Sequence, residues 1–215
     1  DWQTVSDFIS AEGYDKIDYL VGTHPHEDHI GGLDKIIDNF QIGELFMPDA
    51  TNTTKTFEDV LDAAESKNLE ITVPKSGDYI VDEGNLTATV IAPNSADYKD
   101  FNDYSIVIKL IYGDTSFLFQ GDAESLSEQE ILDAGFDVSS DVIKLGHHGS
   151  STSSSADYLD AVGAEYAVIM CGKDNSYGHP HEETMQKLQQ RNIEVLRTDE
   201  QGTITIRSDG TKIML

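Results

Sequence analysis

The sequence predicts an α/β fold, and three observations carry that expectation. Short alternating or β-branched apolar runs interleave with stretches of helical periodicity along the chain, turn residues separate them, and the residues best suited to chemistry fall directly after the apolar runs. At 215 residues the chain is long enough to bury a core, and it is expected to form a single domain over 1–215.

The elements follow in order. Asp1 to Glu12 reads as a helix with Val5, Phe8 and Ile9 on one face, and Ile17 to Val21 as the first strand. A helix is expected over Leu33 to Asn39, a strand over Ile42 to Met47, a helix over Thr54 to Asn68 and a strand over Leu69 to Val73. Strands are then expected over Leu86 to Ile91, Tyr104 to Tyr112 and Ser116 to Gln120, the last two joined by the hairpin signal Gly113-Asp114. Leu126 to Ala134 is helical in pattern, with capping-box spacing in Ser125-Leu126-Ser127-Glu128 and Gly135 placed to stop it. Val142 to Leu145, Tyr166 to Met170, Ile193 to Leu196 and Thr203 to Ile206 read as strands, and Ala156 to Val162 and Glu182 to Arg191 as helices.

Charge and composition exclude several classes. The formal net charge is −26, and the 14 Lys and Arg residues are scattered without a basic stripe, so no counterion-releasing footprint for long nucleic acid is visible. No apolar run approaches the roughly 18 residues of a membrane span, and no leader pattern opens the chain. The single cysteine, Cys171, rules out an internal disulfide framework and, at the end of an apolar run, reads as a small buried residue.

The chemistry concentrates in Thr23-His24-Pro25-His26-Glu27-Asp28-His29, which holds three of the chain's seven histidines. His24 and His26 alternate and can aim two imidazoles the same way from an extended segment, while Asp28 and His29, past the turn, can face a second ion. Asp122 follows a strand and suits a bridge, since each carboxylate oxygen can hold one metal; its alternative is to cap the next helix. His147 and His148 are adjacent, point in different directions, and so offer one metal ligand with either assignment open. His179 precedes Pro180 at a helix start, where an imidazole can contact or protonate a leaving group. His181 reads as a surface residue, and Lys144 and Lys173 are the basic residues nearest the later motifs. Strand ends carrying these residues to one face would build a single cleft.

The run His24-x-His26-x-Asp28-His29 resembles the signature of the metallo-β-lactamase superfamily. Gly121-Asp122-Ala123-Glu124, Leu145-Gly146-His147-His148-Gly149-Ser150 and Tyr177-Gly178-His179-Pro180 are similar to the branch formed by the C-terminal hydrolase domain of ComEC competence proteins and free-standing secreted relatives. The resemblance implies a four-layer αββα sandwich, here without the family's first strands and therefore N-terminally incomplete. It also implies two divalent ions, with His24, His26, Asp28, His29, Asp122 and His147 as metal ligands and Asp28, His148 and His179 in catalytic roles. The further histidine that many superfamily members carry is missing, since none occurs from Ile30 to Gly146; Asn102-Asp103-Tyr104-Ser105 stands near the site instead. Fewer nitrogen ligands weaken a preference for zinc and admit manganese.

The expected function is a binuclear hydrolase acting on a small or short phosphodiester through a metal-bridging hydroxide, with long nucleic acid disfavoured by charge. A ComEC-type DNA nuclease, a cell-envelope phosphorylcholine-type esterase and a noncatalytic, metal-stabilised surface module are the alternatives. A β-lactamase is disfavoured by the absent histidine. An extracellular or cell-surface location is implied by the free-standing relatives.

Overall fold

The computed structural model describes residues 2–215, which divide into two compact units: one up to Pro74 and one spanning Lys75–Leu215.

The first unit holds α1 (Trp2–Ala11), β1 (Lys16–Val21), the short α2 (Glu27–Ile30), α3 (Leu33–Asn39), β2 (Gln41–Phe46), α4 (Lys55–Ser66) and β3 (Ile71–Thr72). Its strands form a parallel sheet in the order β1-β2-β3, as expected when helices return the chain between strands. Thr54 caps α4 by accepting from the Phe57 N–H at 3.3 Å. The α4 residues Phe57, Val60, Ala63 and Ala64 pack with Ile37 and Leu45 into one core. The apolar face expected on α1 is not buried: Val5 and Phe8 are about half exposed and no residue of that helix is buried. Asp1, where that helix was expected to begin, lies outside the described residues.

The second unit is built on a seven-stranded sheet in the order β10-β9-β8-β7-β6-β5-β4. Its strands are β4 (Tyr79–Glu83), β5 (Leu86–Ala92), β6 (Val107–Tyr112), β7 (Thr115–Phe119), β8 (Val142–Lys144), β9 (Tyr166–Ile169) and β10 (Glu194–Arg197). From β4 to β7 the strands form an antiparallel meander, and Gly113-Asp114 makes the expected two-residue turn opposite the pair Tyr112 and Thr115. From β7 to β10 they are parallel, with α5 (Ser125–Asp133), α6 (Ala156–Val162) and α7 (Glu182–Gln190) in the connections. Ile131, Tyr158, Leu159 and Leu188 from those helices cover Leu118, Ile143, Ala167 and Ile169 on one sheet face. The chain continues through α8 (Thr198–Gln201) into the two-stranded ladder β11 (Arg207–Ser208) with β12 (Ile213–Met214).

Three expectations are corrected. Thr203 to Ile206 is irregular, and the ladder starts only at Arg207. Residues 104–106 do not extend β6, because Phe101–Tyr104 folds into a 3-10 turn whose Asp100 side chain accepts from the Asn102 N–H at 3.0 Å. Ser125-x-x-Glu128 is not a capping box: the cap position is Glu124, and the Glu128 side chain is fully buried on hydrogen bonds from residues far along the chain. Gly135 stops α5 as expected, at a left-handed φ of 77° with its N–H on the Leu132 carbonyl.

Candidate metal centre

In the first unit the histidine-rich loop leaves β1 at Gly22, whose N–H bonds the Phe46 carbonyl of β2 at 2.9 Å. A Cβ at Gly22 would lie 3.2 Å from side-chain methyls of Ile30 and Leu33, which would have to give by a few tenths of an ångström, so glycine keeps this approach close. The Asn52 amide donates to the Pro25 carbonyl at 2.9 Å and holds the loop from the other side. His24 is fully buried, and its Nε2 lies 3.1 Å from Nδ1 of His26. The Thr23 hydroxyl is 3.2 Å from Nδ1 of His24 and 3.3 Å from Nδ1 of His29, so one side chain orients two rings whose centroids are 4.2 Å apart. Asp28 Oδ2 is 3.9 Å from His29 Nε2. All four residues nominated from this motif thus meet at one end of β1.

In the second unit Asp122 follows β7 and is 2% exposed. Its N–H donates to the buried Ser105 hydroxyl at 2.9 Å, which ties the Asn102 to Ser105 segment to the site. Its carboxylate lies 3.3 Å from His148 Nε2 and 3.6 Å from Lys144 Nζ. The cap role is not taken, since Glu124 occupies the cap position of α5. Lys144 also donates to the Gly121 carbonyl at 2.7 Å and is largely enclosed, so it braces the turn that carries Asp122.

The adjacent histidines separate as their geometry requires. Both adopt left-handed backbone conformations, with φ of 45° at His147 and 54° at His148, a strained state for side chains with a Cβ. His148 places Nδ1 2.6 Å from the Met170 carbonyl and turns Nε2 towards Asp122. His147 turns away, with Nδ1 3.0 Å from the Glu124 carboxylate and 3.1 Å from the Thr152 hydroxyl. Glu124 also accepts from the Thr152 hydroxyl at 2.8 Å and the Asn102 amide at 3.3 Å.

His179 stacks 6.2 Å from His148 and sits edge-on 5.5 Å from His147 and 4.8 Å from His181. Burial first, then the neighbouring imidazoles, push its pKa down to about 4, so at neutral pH its ring is uncharged and suits contact better than proton donation. His181 is not a bare surface residue: it takes the cap position of α7, and its Nδ1 accepts from the Ser151 N–H at 3.0 Å. Burial raises the Cys171 thiol to about 11, helped by Asp199, so it is protonated and inert as a nucleophile at neutral pH. Thr23 and Glu124 lie inside the motifs but were assigned no role from the sequence, because a single hydroxyl or carboxylate carries no spacing signature.

Each unit therefore brings carboxylate and imidazole ligand atoms within 4.8 Å of one another, Asp28 with His29 in the first and Asp122 with His148 in the second. Nitrogen and oxygen donors with locked ring orientations suit a divalent ion such as zinc or manganese. The sequence profile of the Metallo-beta-lactamase superfamily matches residues 8–173. ComE operon protein 3 of Bacillus subtilis (strain 168) is 34% identical over 200 residues, 93% of this chain and 26% of that protein. Competence protein ComA of Neisseria gonorrhoeae is 28% identical over 197 residues, 91% of this chain and 26% of its own length. Recombination protein 2 of Haemophilus influenzae is 27% identical over 199 residues, 93% of this chain and 23% of that protein. The chain thus spans about a quarter of the length of the curated relatives it matches. CmlA, a diiron beta-hydroxylase from Streptomyces venezuelae, shares the fold at a TM-score of 0.58 and 14% identity over 87% of this chain and 44% of that one.

Proposed function

The chain belongs to the metallo-β-lactamase superfamily, and on that premise we propose that it is a binuclear metal-dependent hydrolase acting on small phosphodiesters. The observation that carries the reading is the buried Asp122 carboxylate facing His148 Nε2 at 3.3 Å, with the other nitrogen of that ring fixed on a backbone carbonyl. An imidazole locked through one nitrogen and aimed with the other is the arrangement metal-binding histidines use. The ligands in this reading are His24, His26, Asp28, His29, Asp122 and His148, the last taking the place that the resemblance gives to His147. These residues would hold two divalent ions, which when bound would supply acidification of a water and charge stabilisation at the ester.

The protein's own residues do the rest. Thr23 fixes the His24 and His29 rings, Lys144 steadies the Asp122 turn, and the uncharged His179 ring offers a hydrogen bond to the ester. His147, held through Nδ1 by Glu124, presents its Nε2 as the substrate-facing group.

A substrate of small size and low charge follows from electrostatics. A surface at −26 with no basic stripe repels polyanions and releases few counterions on binding them, whereas a short diester can approach bound cations. The competence and recombination names of the relatives favour DNA as the second reading. Reconstitution with zinc or manganese, followed by turnover of bis(p-nitrophenyl) phosphate and of single- and double-stranded DNA across a salt series, tests both. Metal-dependent turnover of the chromogenic diester with weak DNA cleavage at physiological salt is expected. Efficient DNA cleavage there establishes the nuclease instead, and no metal-dependent turnover of either ends the enzymatic reading and favours a metal-stabilised module. A cell-surface location belongs to the same proposal; no helix among the described residues is long and apolar enough to cross a membrane.

A further inference from the structure

The loop from Gly146 to Ser155 carries both adjacent histidines, and its backbone opposes the conformation it adopts. His147, His148 and Ser154 all have left-handed φ, at 45°, 54° and 57°. Side chains with a Cβ rarely occupy this region, and such a loop persists only when its surroundings over-determine it.

The surroundings that do so lie underneath, where no solvent reaches. Gln120 and Glu128 are both fully buried and joined by a hydrogen bond from the amide to the carboxylate at 2.5 Å. The Gln120 carbonyl oxygen accepts from the Gly146 N–H at 3.0 Å, at the start of the loop. The Glu128 carboxylate accepts from the Ser154 N–H at 2.5 Å and the Ser155 N–H at 2.8 Å, at its end. Within this frame the Ser153 hydroxyl returns to the Gly146 carbonyl at 2.9 Å, and Thr184 on α7 holds the Ser150 carbonyl at 3.0 Å. Gln120 also receives the Ala123 N–H on its own carbonyl at 3.1 Å, so the same residue closes the turn bearing Asp122.

We infer that Glu128 and Gln120 are positioning residues: a buried carboxylate–amide pair that clamps both ends of the strained loop and thereby sets how tightly His148 and Asp122 hold an ion. The inference rests on the proposed reading of His148 and Asp122 as ligands. Burial raises the Glu128 pKa and donor N–H groups oppose the rise, so the clamp is held by the very hydrogen bonds that order the loop. A glutamine at 128 keeps the size but cannot keep the clamp. One carboxylate oxygen receives two N–H groups and the other receives one, so either setting of an amide turns its NH₂ against a donor.

The test uses the full chain reconstituted with cobalt(II), whose visible absorption reports binding, well below the melting temperature. Glu128→Gln should melt cooperatively yet bind the weaker cobalt equivalent about 10- to 100-fold less tightly, the range for losing a group that orients a ligand. Ser154→Gly added to it should recover most of that affinity, because glycine adopts the left-handed turn without a clamp. A folded Glu128→Gln protein with unchanged cobalt affinity overturns the inference, as does a double variant that recovers nothing. Should Glu128→Gln fail to fold, Gln120→Leu decides by the same titration, since it frees Gly146 while leaving Glu128 on Ser154 and Ser155. Asp122→Ala runs in parallel. If that variant keeps both cobalt equivalents at parental affinity, the proposed metal reading itself fails; if it loses affinity while Glu128→Gln does not, only the clamp is refuted.

Discussion

Gly146→Ala adds one methyl group at the entrance of the histidine loop, and the structure sets the size of the effect. The new Cβ would lie 2.9 Å from the Ala123 carbonyl oxygen and 2.9 Å from Cδ of Gln120, where ordinary contact begins near 3.4 Å. The φ of Gly146 is outside the left-handed region, so the cost is steric rather than conformational. Neither neighbour can yield freely: one is backbone in the Asp122 turn, and the other is a buried amide held at both ends. Overpacking of this kind costs about 1–3 kcal/mol. At roughly 2–4 °C per kcal/mol for a chain of this size, the melting temperature should fall by about 2–12 °C. The accompanying displacement of about 0.5 Å is half the misplacement that costs about a hundredfold in rate, so turnover should drop about tenfold. Thermal melts followed by circular dichroism and turnover of a chromogenic diester read the two effects separately. Gly172→Ala is the control, since nothing lies within 4 Å of its Cβ and its backbone is not left-handed. A Gly146→Ala protein that melts and turns over like the Gly172→Ala control would refute the reasoning.

The adjacent histidines are best replaced by asparagine, which tolerates left-handed φ. His148→Asn should lower metal occupancy, and His147→Asn should leave metal in place and chiefly lower turnover; elemental analysis showing the reverse would return the ligand role to His147. In the metal-free protein the His179 ring should stay neutral down to about pH 4, below the 6.5 of an unfolded histidine. The folded state then binds fewer protons than the unfolded state between these values, so this residue's share of stability is complete above pH 6.5 and is lost as pH falls towards 4. A carbon-13 titration of His179 with its midpoint near 6.5 would contradict this.

The strand–helix alternation and the strand-end positions of His24, Asp122 and the His147–His148 pair were legible in the sequence, because both depend on local periodicity, whereas His179 lies well past the end of β9. What the sequence hid was set by partners distant along the chain. Tyr79 to Glu83 pairs as β4 alongside β5, a strand that was not expected from the sequence. Glu128 matched a capping pattern within its own helix and instead answers Ser154 and Ser155, because a buried carboxylate takes the donors that packing supplies. The divergent orientations of the two histidines depend on φ values that adjacency cannot reveal. Zinc and manganese remain alike in the donor set, since imidazole and carboxylate serve both.

The change of direction in the seven-stranded sheet also bears on when the site comes into being. Strands β4 to β7 are sequential neighbours, two of whose three links are tight turns and the third the loop holding Phe101–Tyr104, whereas each parallel partner beyond β7 must wait for a longer helical crossover to close. Asp122 leaves the last strand of the quick half, and His147 and His148 leave the first strand of the slow half. If the proposed site holds metal, cation recognition is expected to come late, once the parallel half of the sheet has closed. During refolding, the meander should acquire hydrogen-exchange protection before cobalt is held tightly, so that metal acts as a seal on a completed sheet rather than a seed for it.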